Sequence, residues 1–408
     1  MATTRGDEFA DRLARVMPFG SSTASKAALY RPEEPTAVER ARGCRVWDVD
    51  GREFIDFRNG LGPITLGYCY PAVDAAVREQ LEHGIVFGYP HRLECEVAEL
   101  LADVIPCAGQ VRFLKTGGEA MAACMRLARA FTGREHIIQI GYNGWLNSVA
   151  AGGLYRPGVA AEGVPAGVPA GLAAVHHAVV WNDLEAMERL FALLPGQVAA
   201  VCVAASYTDM ADGATFYPAL RTLADRHGAL LVFDEIVTGF RLALGGAQQY
   251  FGVTPDLAVF AKGVANGMPL SLYCGRKEVM RGCDRGGPTS ISSTYGGECL
   301  SLAAAKAVVG VYRSQDVIGH LWRQGQAMWG GLERLFRTHG TGLTLKGLWP
   351  CPQMVPLPEA PADLLPRFLR AACRHGVTLY TVPYVNFSHQ DTDVAEALER
   401  LARALGDL

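Results

Sequence analysis

Two apolar runs constrain this chain most: Ala199–Ala204 and Ala229–Phe233. Neither contains a polar residue, and the helical stretch Leu220–His227 separates them. A strand with one face in water alternates apolar and polar side chains; a strand without that alternation is buried on both faces. Strand, helix and strand in succession are the repeating unit of a parallel sheet. The same alternation runs from about residue 70 to 275. Cys95–Val104 has helical spacing, Val111–Leu114 reads as a strand, and Glu119–Phe131 as a helix stopped by Gly133. His136–Ile140 reads as the next strand. The expected fold is α/β, with a mostly parallel sheet in the larger domain.

The ends differ in pattern. Residues 1–50 form an N-terminal arm leading into the first strands, and Arg45–Phe57 reads as a hairpin turning at Asp50-Gly51. After about residue 290 come helices at Ser301–Tyr312, Leu321–Thr338, Leu364–His375 and Asp393–Leu405, with short strands among them. These predict a smaller α+β domain over 289–408, after a large domain over 51–288 and a hinge at Gly286-Gly287-Pro288. The 408 residues exceed one ordinary domain of ~100–200. Pro157–Gly171, rich in Gly, Pro and Ala, reads as a surface loop.

Composition removes several function classes. The net charge of −3, with no basic stripe, argues against nucleic acid as the partner. No apolar run reaches the ~18 residues of a membrane span, and Met1–Arg15 lacks the apolar segment of a signal peptide. Eleven scattered cysteines without a Cys-x-x-Cys pair suit reduced thiols in the cytoplasm. His176-His177 is the one adjacent histidine pair, and no metal site is expected.

Four features carry chemistry. Leu231-Val232-Phe233 runs straight into Asp234-Glu235 and the turn Thr238-Gly239. Open α/β sheets bind ligands at the carboxyl ends of their strands. A carboxylate buried there needs a partner, either a structural arginine or a protonated ring nitrogen. Leu257–Ala261 likewise ends in Lys262, which is either a lysine at a strand exit reaching water or a desolvated nucleophile. Sequential elements usually lie close in space, so the acid and the amine would converge at one sheet edge. Thr116-Gly117-Gly118-Glu119 opens the strongest helix, and is either an ordinary capping box or a phosphate cradle. Tyr142 follows a strand exit, as a core aromatic or a ring that stacks on a flat ligand.

In this order the features resemble the class III aminotransferases of pyridoxal 5′-phosphate (PLP) fold type I, including glutamate-1-semialdehyde aminomutase. The resemblance runs from about Pro18 to the C-terminus. Asp234-Glu235-Ile236-Val237-Thr238-Gly239-Phe240-Arg241 and Lys262-Gly263 with Gly267-Met268-Pro269-Leu270 carry it most specifically. It implies that Lys262 holds PLP as a Schiff base and shuttles the proton, while Asp234 pairs with the ring nitrogen. It implies that Ile236 and Tyr142 flank the ring, and that Thr116, Gly117 and Gly118 bind the phosphate. Thr294 would reach the phosphate from a neighbouring subunit, which makes the expected state a homodimer with shared active sites.

The departures bear on the substrate. Asn143 stands where the family usually has His, and Gly118 where it has a hydroxyl. Many class III transaminases pair a Glu, in a Glu-Pro dipeptide, with a C-terminal Arg to accept glutamate. This chain has Ala204-Ala205 at the matching place, and Tyr380–His389 contains no Arg. Lys26 matches the aminomutase's carboxylate-binding Arg but lacks its bidentate fork. A small-molecule amine without a carboxylate, such as an aminosugar or aminoglycoside antibiotic intermediate, fits this pattern. Ser22, Lys26, Asn143, Tyr207, Asp209 and Glu298 are its candidate contacts, with helix capping as the other role open to Glu298. The implied reaction is transamination; epimerisation or isomerisation at the amine-bearing carbon is the alternative.

Overall fold

Asp50-Gly51 makes the turn that its residue types predict. Gly51 takes φ +83°, and the turn joins β2 (Arg45–Asp48) to its antiparallel partner β3 (Glu53–Asp56). This computed structural model describes residues 4–146 and 166–408. The hairpin belongs to a unit assembled from Met1–Tyr70 and Gly319–Leu408. There β1 (Val38–Arg42) pairs with β2, and Val377–Thr378 adds to β3 in parallel. The N-terminal arm opens with a helix, Arg5–Val16, capped by Thr4. Sequence reading gives no helix there, because its polar composition hides a single amphipathic turn pattern.

The second unit is Pro71–Ile318, so the units divide at 70/71 and 318/319, whereas the sequence suggests 288/289. Its sheet holds β4 (Gln110–Leu114), β5 (His136–Ile140), β6 (His176–Val179), β7 (Val198–Ala204), β8 (Leu230–Asp234), β9 (Leu257–Phe260) and β10 (Ser271–Gly275). Their order is β4-β10-β9-β8-β7-β5-β6, and only β10 runs against the rest. β7 and β8 are buried at every position, as their sequences predict. Part of the expected loop, 157–165, lies outside the described residues; Ala170–Ala173 forms a short helix.

The helix Gly117–Thr132 packs across this sheet. Met121, Met125 and Leu127 are fully buried with Ala200, Cys202, Val232, Leu257, Val259 and Tyr273. Ala120, Ala123, Cys124 and Ala128 let the helix approach closely. Each large apolar side chain buried in this way contributes ~1.5–3 kcal/mol. That packing fixes the helix N-terminus at the edge where the parallel strands end. Among the described residues, no helix is long and apolar enough to cross a membrane.

Candidate active site

The carboxyl ends of five strands meet one edge of the sheet. Leu114 leads to Thr116, Ile140 to Tyr142 and Asn143, Ala204 to Tyr207, and Phe260 to Lys262, while β8 ends on Asp234. β8 and β9 are direct neighbours, with Asp234 paired to Val259 three residues before Lys262. Lys262 is half-buried and has φ +49°. A side-chain-bearing residue pays strain in this left-handed region, and such outliers concentrate at functional positions.

Asp234 is 8% exposed. Among the described residues it accepts one hydrogen bond, from the Ile236 N–H, 3.0 Å from Oδ1. Burial pushes its carboxyl up to about 7, against the opposing pull of that N–H, of Lys262 and of Asn143. Its neighbour Glu235, 1% exposed, is far better supplied. Glu235 accepts from the Ala247 N–H at 2.7 Å, the Gln248 N–H at 2.9 Å and the Thr238 hydroxyl. The two acids therefore differ in kind: Glu235 pins a turn, while Asp234, among the described residues, accepts a single hydrogen bond and feels the charge of Lys262.

Asn143 is fully buried, and among the described residues neither its amide nitrogen nor its amide oxygen has a hydrogen-bond partner. It favours the charged form of Asp234 without reaching hydrogen-bond geometry. An unsatisfied buried amide costs ~1–3 kcal/mol. Tyr142 is 53% exposed, and burial followed by the Asp234 charge raises its hydroxyl.

Thr116 caps its helix in a full capping box with Glu119. Its hydroxyl donates to Glu119 Oε2 at 3.0 Å. Gly117 and Gly118, as the first helical residues, offer N–H groups with no carbonyl one turn earlier to bond. The capping and anion-binding alternatives are thus compatible, since the cap uses the side chain and leaves these donors. A Cβ on Gly117 would stand 2.2 Å from Ile236 Cδ1, so glycine is what admits Ile236 against the turn.

Thr294 is exposed on the loop before Gly296-Gly297. Asp209 is turned onto Ser206 Oγ at 2.6 Å and Thr208 Oγ1 at 3.0 Å, and Tyr207 is half-buried beside it in sequence. Ser22 and Lys26 belong to the other unit, where both are exposed. Lys26 there lines a cavity of about 260 Å³ with Arg58, Tyr68 and Thr378. Glu298 takes the capping role left open above: it receives the Leu300 and Ser301 N–H groups at 2.8 and 3.1 Å and pairs with Lys115 at 2.8 Å. Burial alone would raise its carboxyl, but Lys115 and Ser301 outweigh burial and lower it. Lys115 escaped the sequence reading, because a lysine at a strand exit looks like any surface residue.

The sequence pattern of the family Aminotransferase class-III matches residues 28–405. The glutamate-1-semialdehyde 2,1-aminomutase of Roseiflexus castenholzii is 33% identical, over 99% of this chain and 98% of that protein. Among solved structures, the FumI protein of a Sphingopyxis species, in its PLP internal aldimine form, superposes with a TM-score of 0.88 at 26% identity. That match covers 99% of this chain and 96% of the other. An omega-transaminase from Sphaerobacter thermophilus gives a TM-score of 0.88 at 25% identity, covering 99% and 98%. On these likenesses, spanning nearly its whole length, the chain belongs to the class III aminotransferases.

Proposed function

We propose that this chain is a PLP enzyme that transfers an amino group at an amine-bearing carbon, with Lys262 and Asp234 as its catalytic pair. The observation that carries the reading is the state of Asp234: buried, supplied with one backbone N–H, and set beside Lys262 at the neighbouring strand end. A protonated ring nitrogen would give this carboxylate a direct counter-charge beyond the pull of Lys262. The unpartnered amide of Asn143 and the N–H groups of Gly117 and Gly118 also fit a polar, phosphorylated ring.

Bound, the cofactor supplies an electron sink for the pair of electrons released when the amine-bearing carbon loses its proton. The protein's part follows from its residues. Asp234 keeps the ring nitrogen protonated. Lys262 is the covalent attachment point and, once its amine is freed, the general base that takes the proton. Thr116, Gly117 and Gly118 anchor the phosphate, and Ile236 and Tyr142 flank the ring. Thr294 serves a partner subunit's phosphate in a homodimer.

The substrate we infer is an amine lacking a carboxylate, in the chemical class of aminosugars. Support comes from Ala204-Ala205 and from the absence of Arg in Tyr380–His389. Isomerisation is the second reading, favoured by the full-length similarity to an aminomutase.

Adding PLP to the purified protein should produce the visible band of a cofactor bound covalently to an amine, and Lys262→Ala should lose it. A band that survives the substitution sinks the assignment of Lys262. Incubation with an aminosugar in heavy water then separates the reactions. Strict need for a keto acid supports transfer, whereas deuterium uptake with no net loss of amine supports isomerisation. Mixing Lys262→Ala and Thr294→Ala subunits should restore activity if sites are shared, and should not if each chain works alone.

A further inference from the structure

Lys115 stands one residue before the Thr116-Gly117-Gly118 turn, where a lysine would ordinarily extend into water. Its side chain is only 16% exposed. Nζ donates to Glu298 Oε1 at 2.8 Å, to the Pro269 carbonyl at 2.9 Å and to Ser301 Oγ at 3.4 Å. These acceptors come from two segments. Pro269 lies between Lys262 and β10, Glu298 ends the loop carrying Thr294, and Ser301 sits in the first turn of the helix Cys299–Ser314. Ser301 Oγ closes the ring, donating to Glu298 Oε1 and lying 3.2 Å from the Pro269 carbonyl. From the opposite side, Glu119 receives the Lys115 and Thr116 N–H groups at 3.2 and 2.8 Å. Ser271 Oγ holds the Thr116 carbonyl at 2.8 Å.

We propose that the Lys115–Glu298 ion pair is a positioning device for the anion-binding turn. It fixes Thr116–Gly118 relative to the Lys262 stretch and the Thr294 loop, so that a phosphate meets donors already in place. The proposal rests on the cofactor reading above.

Stability alone does not account for the pair. A buried ion pair can often be replaced by apolar side chains at no loss, because desolvation offsets the attraction. A neutral Asn or Ser would cap the helix as well as Glu298 does. What the ion pair adds is a defined spacing between the two segments that converge on the turn. Sites of this kind lose heavily when their supporting groups slacken.

The test uses the full-length protein freed of cofactor, with inorganic phosphate and PLP as probes, read by calorimetry. Lys115→Met should weaken both ligands about tenfold, the low end for loss of a supporting partner. Glu298→Gln, which keeps an acceptor for the helix N–H groups, should weaken both by less. The double variant should bind no worse than Lys115→Met, because the two residues act as one unit. Lys115→Arg, which keeps the charge, should recover most of the affinity. Lowered melting temperatures with unchanged affinities would reduce the pair to a helix support and overturn the proposal. Losses that simply add in the double variant would overturn it too. If Lys115→Met does not fold, Glu298→Gln and Lys115→Arg decide it alone: unchanged affinity in the former contradicts the device. Failure of the cofactor reading is distinguishable, since wild-type protein would then bind inorganic phosphate but not PLP. The phosphate titrations would still decide the role of the pair.

Discussion

Asp56 and Asp234 occupy equivalent places in the two units: each is the last residue of a strand, and each is buried, at 3% and 8% exposure. Asp56 accepts four hydrogen bonds. The Arg58 and Asn59 N–H groups lie at 3.0 Å, the Tyr68 hydroxyl at 2.7 Å and the Thr378 hydroxyl at 2.6 Å. Asp234 accepts one. A buried acid that is fully supplied holds the fold together; a buried acid left short costs stability and is waiting for a ligand. The burial pattern is the same in both places, so burial alone does not identify a site. The count of donors does.

Substitution should separate the two acids by sign. Asp56→Ala strands four donors and should destabilise the protein by on the order of 3–5 kcal/mol, seen as a lower denaturant midpoint. Asp234→Asn should do the reverse to the cofactor-free protein. Its carboxyl titrates near 7 when folded, against an ordinary carboxylate value when unfolded. Between about pH 4 and 7 the folded state therefore holds the extra proton, and stability falls as pH rises through that window. Asp234→Asn should remove this slope and gain on the order of 2–4 kcal/mol at pH 8. The same variant should lose on the order of 10²–10³-fold in turnover, because the ring nitrogen loses its counter-charge. If Asp234→Asn destabilises the cofactor-free protein as Asp56→Ala does, the contrast between the two acids collapses.

A smaller effect sharpens the contrast within one strand end. Glu235→Gln keeps one of the two acceptor oxygens and turns an NH2 toward the donors that the other received, costing ~1–3 kcal/mol in thermal unfolding. Turnover per folded molecule should hold. A large loss of turnover without loss of stability would give Glu235 a chemical role that its bonds do not suggest.

Much of this was legible in the sequence for local reasons. The unbroken apolar runs of β7 and β8 fixed their burial on both faces, and strand polarity then put Asp234 and Lys262 at one edge. Thr116 and Glu119 announced their capping box by spacing alone. What stayed hidden depends on distant partners. Val377–Thr378 pairs with Ile55–Asp56, a contact that no local pattern encodes. Lys115 looks like a solvent-exposed lysine until Pro269, Glu298 and Ser301 close around it. Asn143 suggests a substrate contact by residue type, yet it is buried beside Asp234. The left-handed backbone of Lys262 is likewise invisible, because no glycine marks it.

On the proposed reading, Asp234 is an acid held in reserve for a cation. Carbon-13 labelling of the aspartate carboxyls, with the Asp234→Asn variant to assign the resonance, tests it by NMR titration. Asp234 should titrate near pH 7 in the cofactor-free protein and stay ionised at and well below pH 7 once PLP is bound. An ordinary carboxylate titration in the free protein, or one that PLP leaves unmoved, would contradict it.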